Sequence, residues 1–236
     1  MLTSSMLTSS MLSWSTIDTV MFDMDGTLLD LHFDNFFWQI HVPTVYGQKH
    51  GLSPQQASEL IFTKYASAQG SLNWYCMDFW SLTLDLDIAR LKTETRHKIA
   101  VRPYAIELLK RLHQHDKRVL LVTNAHPDSL ALKMQHTGME EHFHSTISSH
   151  NLGKAKEQPG FWSDLLSVEH FDPQRTLLID DTLPVLRRAR DEGIKHLLAI
   201  HQPDSQCPPV AAEEFQQIED FRQIMPPLIN TKQVSG

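Results

Sequence analysis

The sequence is poor in cysteine and in positive charge, and it contains no long apolar run. It has two cysteines, and 21 Lys and Arg residues stand against 28 Asp and Glu residues, which gives a formal net charge of −7. Domains that bind nucleic acid through electrostatics are usually basic, so no nucleic-acid partner is expected. No segment approaches the roughly 20 apolar residues of a membrane span, so no membrane partner is expected either.

The cysteine and histidine spacings match no known metal motif. Cys76 and Cys207 are too far apart in the sequence for a zinc or redox motif, and they predict free thiols in a reducing, cytoplasmic compartment. His142 and His144 lack a third ligand at a defined spacing, so no zinc site is expected there. His126 either approaches a site at the end of the preceding strand or lies on the surface.

The first residues differ in composition from the rest of the chain. The start MLTSSMLTSSML repeats a short unit and has neither a cationic segment nor a continuous apolar segment, so it is not typical of a signal peptide. We expect residues 1–13 to be a disordered leader, or residues 1–10 to precede a natural start at Met11. They are left out of the expected fold.

Short apolar runs alternate with helical patterns through most of the sequence. The predicted strands cover residues 17–22, 118–123, 145–148, 176–180 and 196–200. Helical patterns cover residues 103–115, 129–137 and 182–192, and Gly138 and Gly193 follow two of them. The alternation predicts an α/β fold with a doubly wound parallel sheet, in which an order of 3-2-1-4-5 would place the first strand centrally. Beyond Gln202 we expect a surface tail.

A helical segment interrupts this alternation after the first strand. Ser53 and Pro54 are typical of a helix start, and residues 72–84 predict a second helix. We therefore predict a helical cap over residues 31–96, and an α/β core over 14–30 and 97–236. The cap segment holds 11 of the 20 aromatic residues, which form either its own core or a surface on which a ligand stacks.

Two carboxylates follow the first predicted strand directly. In the segment Asp23-Met24-Asp25-Gly26-Thr27, the acids at i and i+2 of an extended chain point to the same side. Adjacent carboxylates at the end of a buried strand require a cation, and oxygen ligands are those that Mg²⁺ prefers. Asp23 and Asp25 therefore predict a magnesium site.

Polar residues also end the other predicted central strands. Thr123 and Asn124 follow one strand, Asp180 and Asp181 follow another, and Lys156 lies in a polar segment between them. Ligands of such sheets bind at the carboxyl ends of the strands. We expect the four acids to hold the cation, while the other three residues supply hydrogen-bond donors and positive charge to a phosphoryl group.

These motifs, taken in order, identify a family resemblance. DMDGTLLD, LLVTNA, a downstream lysine and LIDD resemble the four motifs of the haloacid dehalogenase (HAD) superfamily. The stretches DMDGTLLDLHFDNFFWQIHVP, LNWYCMDFW and LLVTNAHPDSLALKMQHTG are similar to bacterial GMP/IMP 5′-nucleotidases. The segment KEQPGFW and Pro103 depart from the pattern of that group.

The resemblance implies a HAD-like core and phosphoryl transfer to water. It implies that Asp23 is the nucleophile that forms an aspartyl-phosphate, and that Asp25 acts first as a general acid and then as a general base. Mg²⁺ would be held by Asp23, the backbone carbonyl of Asp25 and Asp181, with Asp180 assisting directly or through water.

The resemblance also implies how the substrate is bound. Thr123 and the amide of Asn124 would bind phosphate oxygens, and Lys156 would neutralise charge. The implied substrates are the purine nucleoside 5′-monophosphates GMP and IMP, with Trp74 and Trp80 as candidate contacts to the base. The alternative is a HAD phosphatase or phosphomutase that acts on sugar phosphates or other small phosphorylated metabolites.

Overall fold

The computed structural model of the protein describes residues 12–228, and these form a six-stranded parallel sheet of order β3-β2-β1-β4-β5-β6. The strands are β1 (Thr19–Phe22), β2 (Arg118–Thr123), β3 (Ser145–Ser148), β4 (Thr176–Asp180), β5 (His196–Ile200) and β6 (Gln216–Ile218). The predicted fold class and the order of the first five strands are confirmed. Strand β1 starts two residues later than predicted.

The expectation of a surface tail beyond Gln202 is wrong in one respect. Residues Gln216–Ile218 pair in parallel with β5 and extend the sheet by one strand. The segment is short and mostly polar, so it carries no apolar pattern that would predict a strand. Ile218 is buried on the core side.

The two faces of the sheet are covered by helices of the core. These helices are α6 (Ala105–Gln114), α7 (Pro127–Thr137), α8 (Phe161–Val168) and α9 (Leu183–Asp191) in chain order. Val20 and Phe22 of β1 point to the face covered by α6, whereas Met21 points to the face covered by α8 and α9. A strand buried on both faces is a continuous apolar run, which is why β1 lacks polar alternation.

Between β1 and α6 the chain is helical and forms the cap. Its helices are α1 (His32–Phe36), α2 (Val42–His50), α3 (Pro54–Ala68), α4 (Met77–Leu84) and α5 (Ile88–Glu94). A π-helical turn, Phe37–His41, joins the first two. Ser53 caps α3 through a capping box, as the Ser-Pro pair predicts. Leu29 pairs with Val101 where the two connections between cap and core run side by side.

The helix predicted over residues 72–84 is divided in two. A 3₁₀ turn, Leu72–Tyr75, is separated from α4 by Cys76, whose backbone is extended. The Sγ of Cys76 accepts the N–H of Phe79 at 3.4 Å and so caps α4. The sequence gives no strong breaker at this position, which explains the difference.

The aromatic residues of the cap form a core of their own. Phe37, Tyr65 and Trp80 are buried together with aliphatic residues of α3, α4 and α5. The core interpretation is therefore correct for these residues. Residues 1–11 of the expected leader lie outside the described residues, whereas Leu12 is buried against the core. Within residues 12–228, no helix has the length and apolar character needed to cross a membrane.

Candidate active site

The carboxyl ends of β1, β2 and β4 face the cap across a cavity of about 640 Å³. This volume is in the usual range for a small-molecule site. The core contributes polar residues to its floor, and the cap contributes aromatic residues to its wall. The predicted site residues that line the cavity are Asp23, Asp25, Thr123, Asn124, Lys156, Asp181, Trp74 and Trp80.

The loop after β1 can approach the acids of β4 only because residue 26 is glycine. Gly26 has φ +84°, a conformation that L side chains rarely adopt. A Cβ at this position would lie 2.5 Å from Oδ2 of Asp181. The backbone N–H of Asp23 donates to the carbonyl of Ile179 at 3.0 Å, so the first acid continues the pairing of β1 with β4.

Lys156 lies at the centre of the acidic floor. Its Nζ donates to Oδ1 of Asp23 at 2.5 Å, to Oδ2 of Asp180 at 2.7 Å and to the carbonyl of Val122 at 3.0 Å. Its side chain is 2% exposed. Burial alone would lower the pKa of Lys156, but the charges of Asp180 and Asp23 raise it, so the ammonium form persists.

The two acids on β4's end have different surroundings. Asp180 is fully buried, and its carboxylate accepts from Lys156 and, at 2.8 Å, from the backbone N–H of Thr182. Asp181 lines the cavity instead and accepts only the hydroxyl of Thr182 at 3.2 Å among the described residues. Asp181 is therefore the acid of this pair that faces the cavity.

The acidic floor carries more negative than positive charge. Burial raises the pKa of Asp23 to about 6, although Lys156 opposes the shift and Asp180 adds to it. Burial and the charges of Asp23 and Asp180 raise the pKa of Asp181 well above its ordinary value. Three carboxylates share one ammonium group, and a divalent cation with oxygen ligands would remove this imbalance. The residues present therefore fit Mg²⁺.

A second group of charges lies beside the floor, and we call Asp25, Asp34, Lys92 and Lys133 the Asp25 network. The Nζ of Lys133 donates to Oδ1 of Asp25 at 2.6 Å and to Oδ2 of Asp34 at 2.7 Å. The Nζ of Lys92 donates to Oδ1 of Asp34 at 2.8 Å. Both lysines are buried. The network is balanced in charge and joins α1 and α5 of the cap to α7 of the core.

The Asp25 network sets the protonation of its acids. Burial and the charge of Asp34 raise the pKa of Asp25 to about 7, although Lys133 opposes the shift. Burial would raise the pKa of Asp34 too, but Lys133 and Lys92 hold it below its ordinary value. Asp25 is therefore an acid that can both donate and accept a proton near neutral pH.

Thr123 and Asn124 end β2 at the opposite side of the floor. The Oγ1 of Thr123 accepts the N–H of Ala125 at 3.1 Å. The side chain of Asn124 accepts the N–H of Lys156 at 2.8 Å and donates to Glu157 at 2.9 Å. Asn124 thus fixes the loop that carries the lysine, which is a role in addition to the predicted contact of its amide with phosphate.

Glu157 also connects the core to the cap. The hydroxyl of Tyr75 donates to Oε1 of Glu157 at 3.0 Å. Burial and the charge of Glu157 raise the pKa of Tyr75, so the hydroxyl keeps its proton. The glutamate lies in the segment KEQPGFW, in which the sequence departs from the pattern of its relatives.

The two candidate tryptophans of the cap differ in exposure. Trp74 is 36% exposed and faces the cavity. Trp80 is 1% exposed, its ring packs at 4.9 Å from that of Tyr65, and its indole N–H donates to the carbonyl of Trp74 at 2.9 Å. The structure therefore favours Trp74 over Trp80 as a contact for a ligand, and Trp80 is mainly a residue of the cap core.

Several residues of the site were not predicted from the sequence. They are Asp34, Lys92, Lys133 and Glu157. A signal for Lys133 is its position on the buried face of α7, three residues after Leu130 and four before Thr137. A lysine at such a position requires a buried anion. His126, left open by the sequence, lines the cavity.

Comparison with known proteins agrees with this geometry. The sequence model of the haloacid dehalogenase-like hydrolases matches residues 17–193. The chain is 39% identical over 218 residues to the GMP/IMP nucleotidase YrfG of Escherichia coli (strain K12) and to that of Shigella flexneri, covering 92% of this chain and 98% of each relative.

A solved structure gives the same assignment of fold. The HAD phosphatase from Thermococcus onnurineus superposes with a TM-score of 0.71 at 22% identity, covering 85% of this chain and 92% of that one. At this identity the likeness concerns the fold alone. The family match and the two curated relatives carry the assignment further: the chain belongs to the haloacid dehalogenase-like hydrolase family and is a phosphoric monoester hydrolase.

Proposed function

We propose that the protein is a Mg²⁺-dependent 5′-nucleotidase that hydrolyses purine nucleoside 5′-monophosphates through an aspartyl-phosphate. The observation that carries the proposal is a single cavity with an acidic, lysine-containing floor and an aromatic wall. The floor suits a phosphoryl group, and the wall suits a planar base. The 39% identical relative named as a GMP/IMP nucleotidase supports the same substrate class.

Asp23 is the nucleophile in this proposal. One of its carboxylate oxygens attacks phosphorus, a bond from that oxygen to phosphorus forms, and the bond from phosphorus to the 5′-oxygen breaks. Lys156 holds Oδ1 of Asp23 at 2.5 Å and keeps the carboxylate in one orientation. This contact also favours the ionised form of Asp23, which attack requires.

Asp25 moves the protons. Its carboxyl donates a proton to the departing 5′-oxygen, and the nucleoside leaves as an alcohol. Its carboxylate then takes a proton from the water that attacks phosphorus, which releases phosphate and restores Asp23. A pKa of about 7 suits both steps at neutral pH.

The remaining residues of the floor bind the phosphoryl group. Thr123 and Asn124 supply hydrogen bonds to its oxygens, and Lys156 supplies positive charge. Asp23, Asp181 and the backbone carbonyl of Asp25 would hold Mg²⁺, which would neutralise charge on the phosphoryl oxygens. Asp180 contributes through Lys156, because its carboxylate is already bonded to that lysine.

The cap supplies the contact with the base. Trp74 presents an exposed ring to the cavity, close to Tyr65 at a ring distance of 6.1 Å. Stacking on such a ring contributes about 1–3 kcal/mol per base in proteins that bind single strands. The two free thiols are consistent with the reducing compartment of the cytoplasm, where we place the enzyme.

The test is a comparison of kcat/KM across nucleoside monophosphates and sugar phosphates, with Mg²⁺ and with EDTA. We expect the highest values for GMP and IMP, and loss of activity in EDTA. Equal or higher values for sugar phosphates would support the alternative substrate class instead. Asp23→Asn serves as the inactive control, and Asp18→Asn, on the exposed side before β1, serves as the matched active control.

A further inference from the structure

A cluster of sulfur and nitrogen donors lies where the cap meets the core, outside the carboxylate floor. The Sγ of Cys76 and one ring nitrogen each of His126 and His150 lie within 4.8 Å of one another. Cys76 precedes α4 in the cap, whereas His126 precedes α7 and His150 lies in the 3₁₀ turn that follows β3. Docking of the cap on the core therefore brings the three donors together.

One ring nitrogen of His150 lacks a hydrogen-bond partner among the described residues. The Nε2 of His150 is buried and makes no hydrogen bond to the described residues. A buried polar atom without a partner is unfavourable, and a bound ion would satisfy this nitrogen. The ring of His126 meets that of His150 edge to face at a centroid distance of 5.0 Å, so the two imidazoles are already in contact.

The distances among the three donor atoms suit a tetrahedral ion if the atoms move slightly closer together. Bond lengths of about 2.3 Å to sulfur and about 2.05 Å to nitrogen place the ligands of Zn²⁺ about 3.4 to 3.6 Å apart. The donor atoms here are at most 4.8 Å apart, so a closure of about 1.4 Å at most is needed. Rotation about the side-chain torsions of Cys76 and His126 can supply it.

A fourth ligand is available on the cap. Oδ2 of Asp78 lies 3.6 Å from Nε2 of His126, and its side chain is 79% exposed and free to turn. Thiolate and imidazole ligands favour Zn²⁺, whereas an all-oxygen set favours Mg²⁺. The cluster therefore differs in ligand chemistry from the carboxylate floor.

We propose that Cys76, His126 and His150 form a Zn²⁺ site that joins the cap to the core, with Asp78 completing the coordination. Trp74 and Tyr75, which line the cavity, directly precede the cysteine ligand. An ion at the cluster fixes this wall of the cavity against the core. The sequence does not reveal the site, because its ligands come from three separate elements.

The test uses Co²⁺ as a spectroscopic probe in the full chain, with excess Mg²⁺ present to occupy the carboxylate floor. Co²⁺ bound by a thiolate gives a charge-transfer band in the near ultraviolet, and the carboxylate floor cannot produce one because it holds no sulfur. We expect this band to saturate at one Co²⁺ per chain and to disappear when Zn²⁺ is added.

Matched variants assign the band to its ligands. We expect Cys76→Ser to abolish the band and His150→Gln to weaken binding at least tenfold. Cys207→Ser, at the exposed second cysteine, and His136→Gln, at an exposed histidine of α7, should leave it unchanged. Absence of a thiolate band in the wild type, or its survival in Cys76→Ser, would overturn the proposal.

A second measurement needs no variant. Alkylation of the wild-type protein by iodoacetamide is followed at each cysteine by mass spectrometry, with and without Zn²⁺. We expect Zn²⁺ to slow modification of Cys76 at least tenfold and to leave the rate at Cys207 unchanged. Equal rates at Cys76 with and without Zn²⁺ would contradict the site. Neither measurement depends on phosphatase activity.

Discussion

The Nζ of Lys133 donates to Oδ1 of Asp25 at 2.6 Å; the lysine side chain is fully buried, whereas that of Asp25 is partly exposed to the cavity. The same ammonium group bonds Asp34 at 2.7 Å. Lys133 therefore orients the carboxyl that we propose as the general acid, and it does so from α7, within the stretch LLVTNAHPDSLALKMQHTG. It also opposes the rise in the pKa of Asp25.

Lys133→Met keeps an unbranched side chain of nearly the same length and removes its charge. We expect kcat to fall by about 10- to 100-fold, less than the 10²–10⁴-fold contribution of a general acid itself. The pKa of Asp25 rises when this cation is removed, and the acid must be protonated for the first step. The alkaline limb of kcat/KM, expected near pH 7 in the wild type, should therefore move to higher pH.

The control for this prediction is Lys110→Met, at an exposed lysine of α6. It should leave both kcat and the pH profile unchanged. The lysine would have only a structural role if Lys133→Met folds and is slower but the alkaline limb of its kcat/KM profile does not move.

Gly26 offers a test of the close approach between the two acidic loops. Gly26→Ala forces a Cβ to within 2.5 Å of Asp181 Oδ2, whereas Gly51→Ala, also at positive φ, meets no atom within 4 Å. Both variants should lose about 1–2 kcal/mol of unfolding free energy from backbone strain. Only Gly26→Ala should also lose activity and require more Mg²⁺. Equal activities in the two variants would refute the role assigned to the contact.

The two acids at the end of β4 should respond differently to substitution. Asp181→Asn removes a carboxylate that faces the cavity, so the Mg²⁺ concentration for half-maximal activity should rise at least tenfold. Asp180→Asn removes a partner of Lys156 and should lower kcat with a smaller change in that concentration. Titration of activity with Mg²⁺ separates the two effects, and the reverse pattern would exchange the two roles.

Substitutions of the two cap tryptophans should have different effects, one on substrate binding and the other on the stability of the fold. Trp74→Ala should raise KM for GMP by roughly 5- to 150-fold, the equivalent of about 1–3 kcal/mol of stacking, and leave KM for p-nitrophenyl phosphate nearly unchanged. Trp80→Ala should instead lose about 3–5 kcal/mol of unfolding free energy, as large buried side chains do. Equal effects of Trp74→Ala on both substrates would argue against stacking.

Most of the α/β core could be predicted from the sequence because its signals are local. Strand β2 and β4 are apolar runs with polar ends, and their bounds agree with the structure. Asp23 and Asp25 could be predicted as site residues because a strand, two acids separated by one residue and a glycine follow one another in a short segment. Strand β6 was missed because Gln216 and Gln217 carry no apolar pattern.

The parts that were missed depend on contacts between distant segments. The buried ammonium group of Lys133 is paired with Asp25 and Asp34, which lie about a hundred residues earlier in the chain. Cys76 divides a helical stretch that propensity alone would continue. The burial of Trp80 follows from how α3 and α4 pack, and periodicity cannot distinguish that from a ring that faces a ligand.

The central claim is that Asp23 carries the phosphoryl group during turnover. Enzyme mixed with GMP and Mg²⁺ is quenched within one turnover and reduced with borohydride, which converts an aspartyl-phosphate to homoserine, and position 23 is then identified by peptide mass spectrometry. We predict homoserine at position 23 in the wild type and none in Asp23→Asn. A full burst of nucleoside with unmodified Asp23, or with homoserine at another aspartate, would contradict the account.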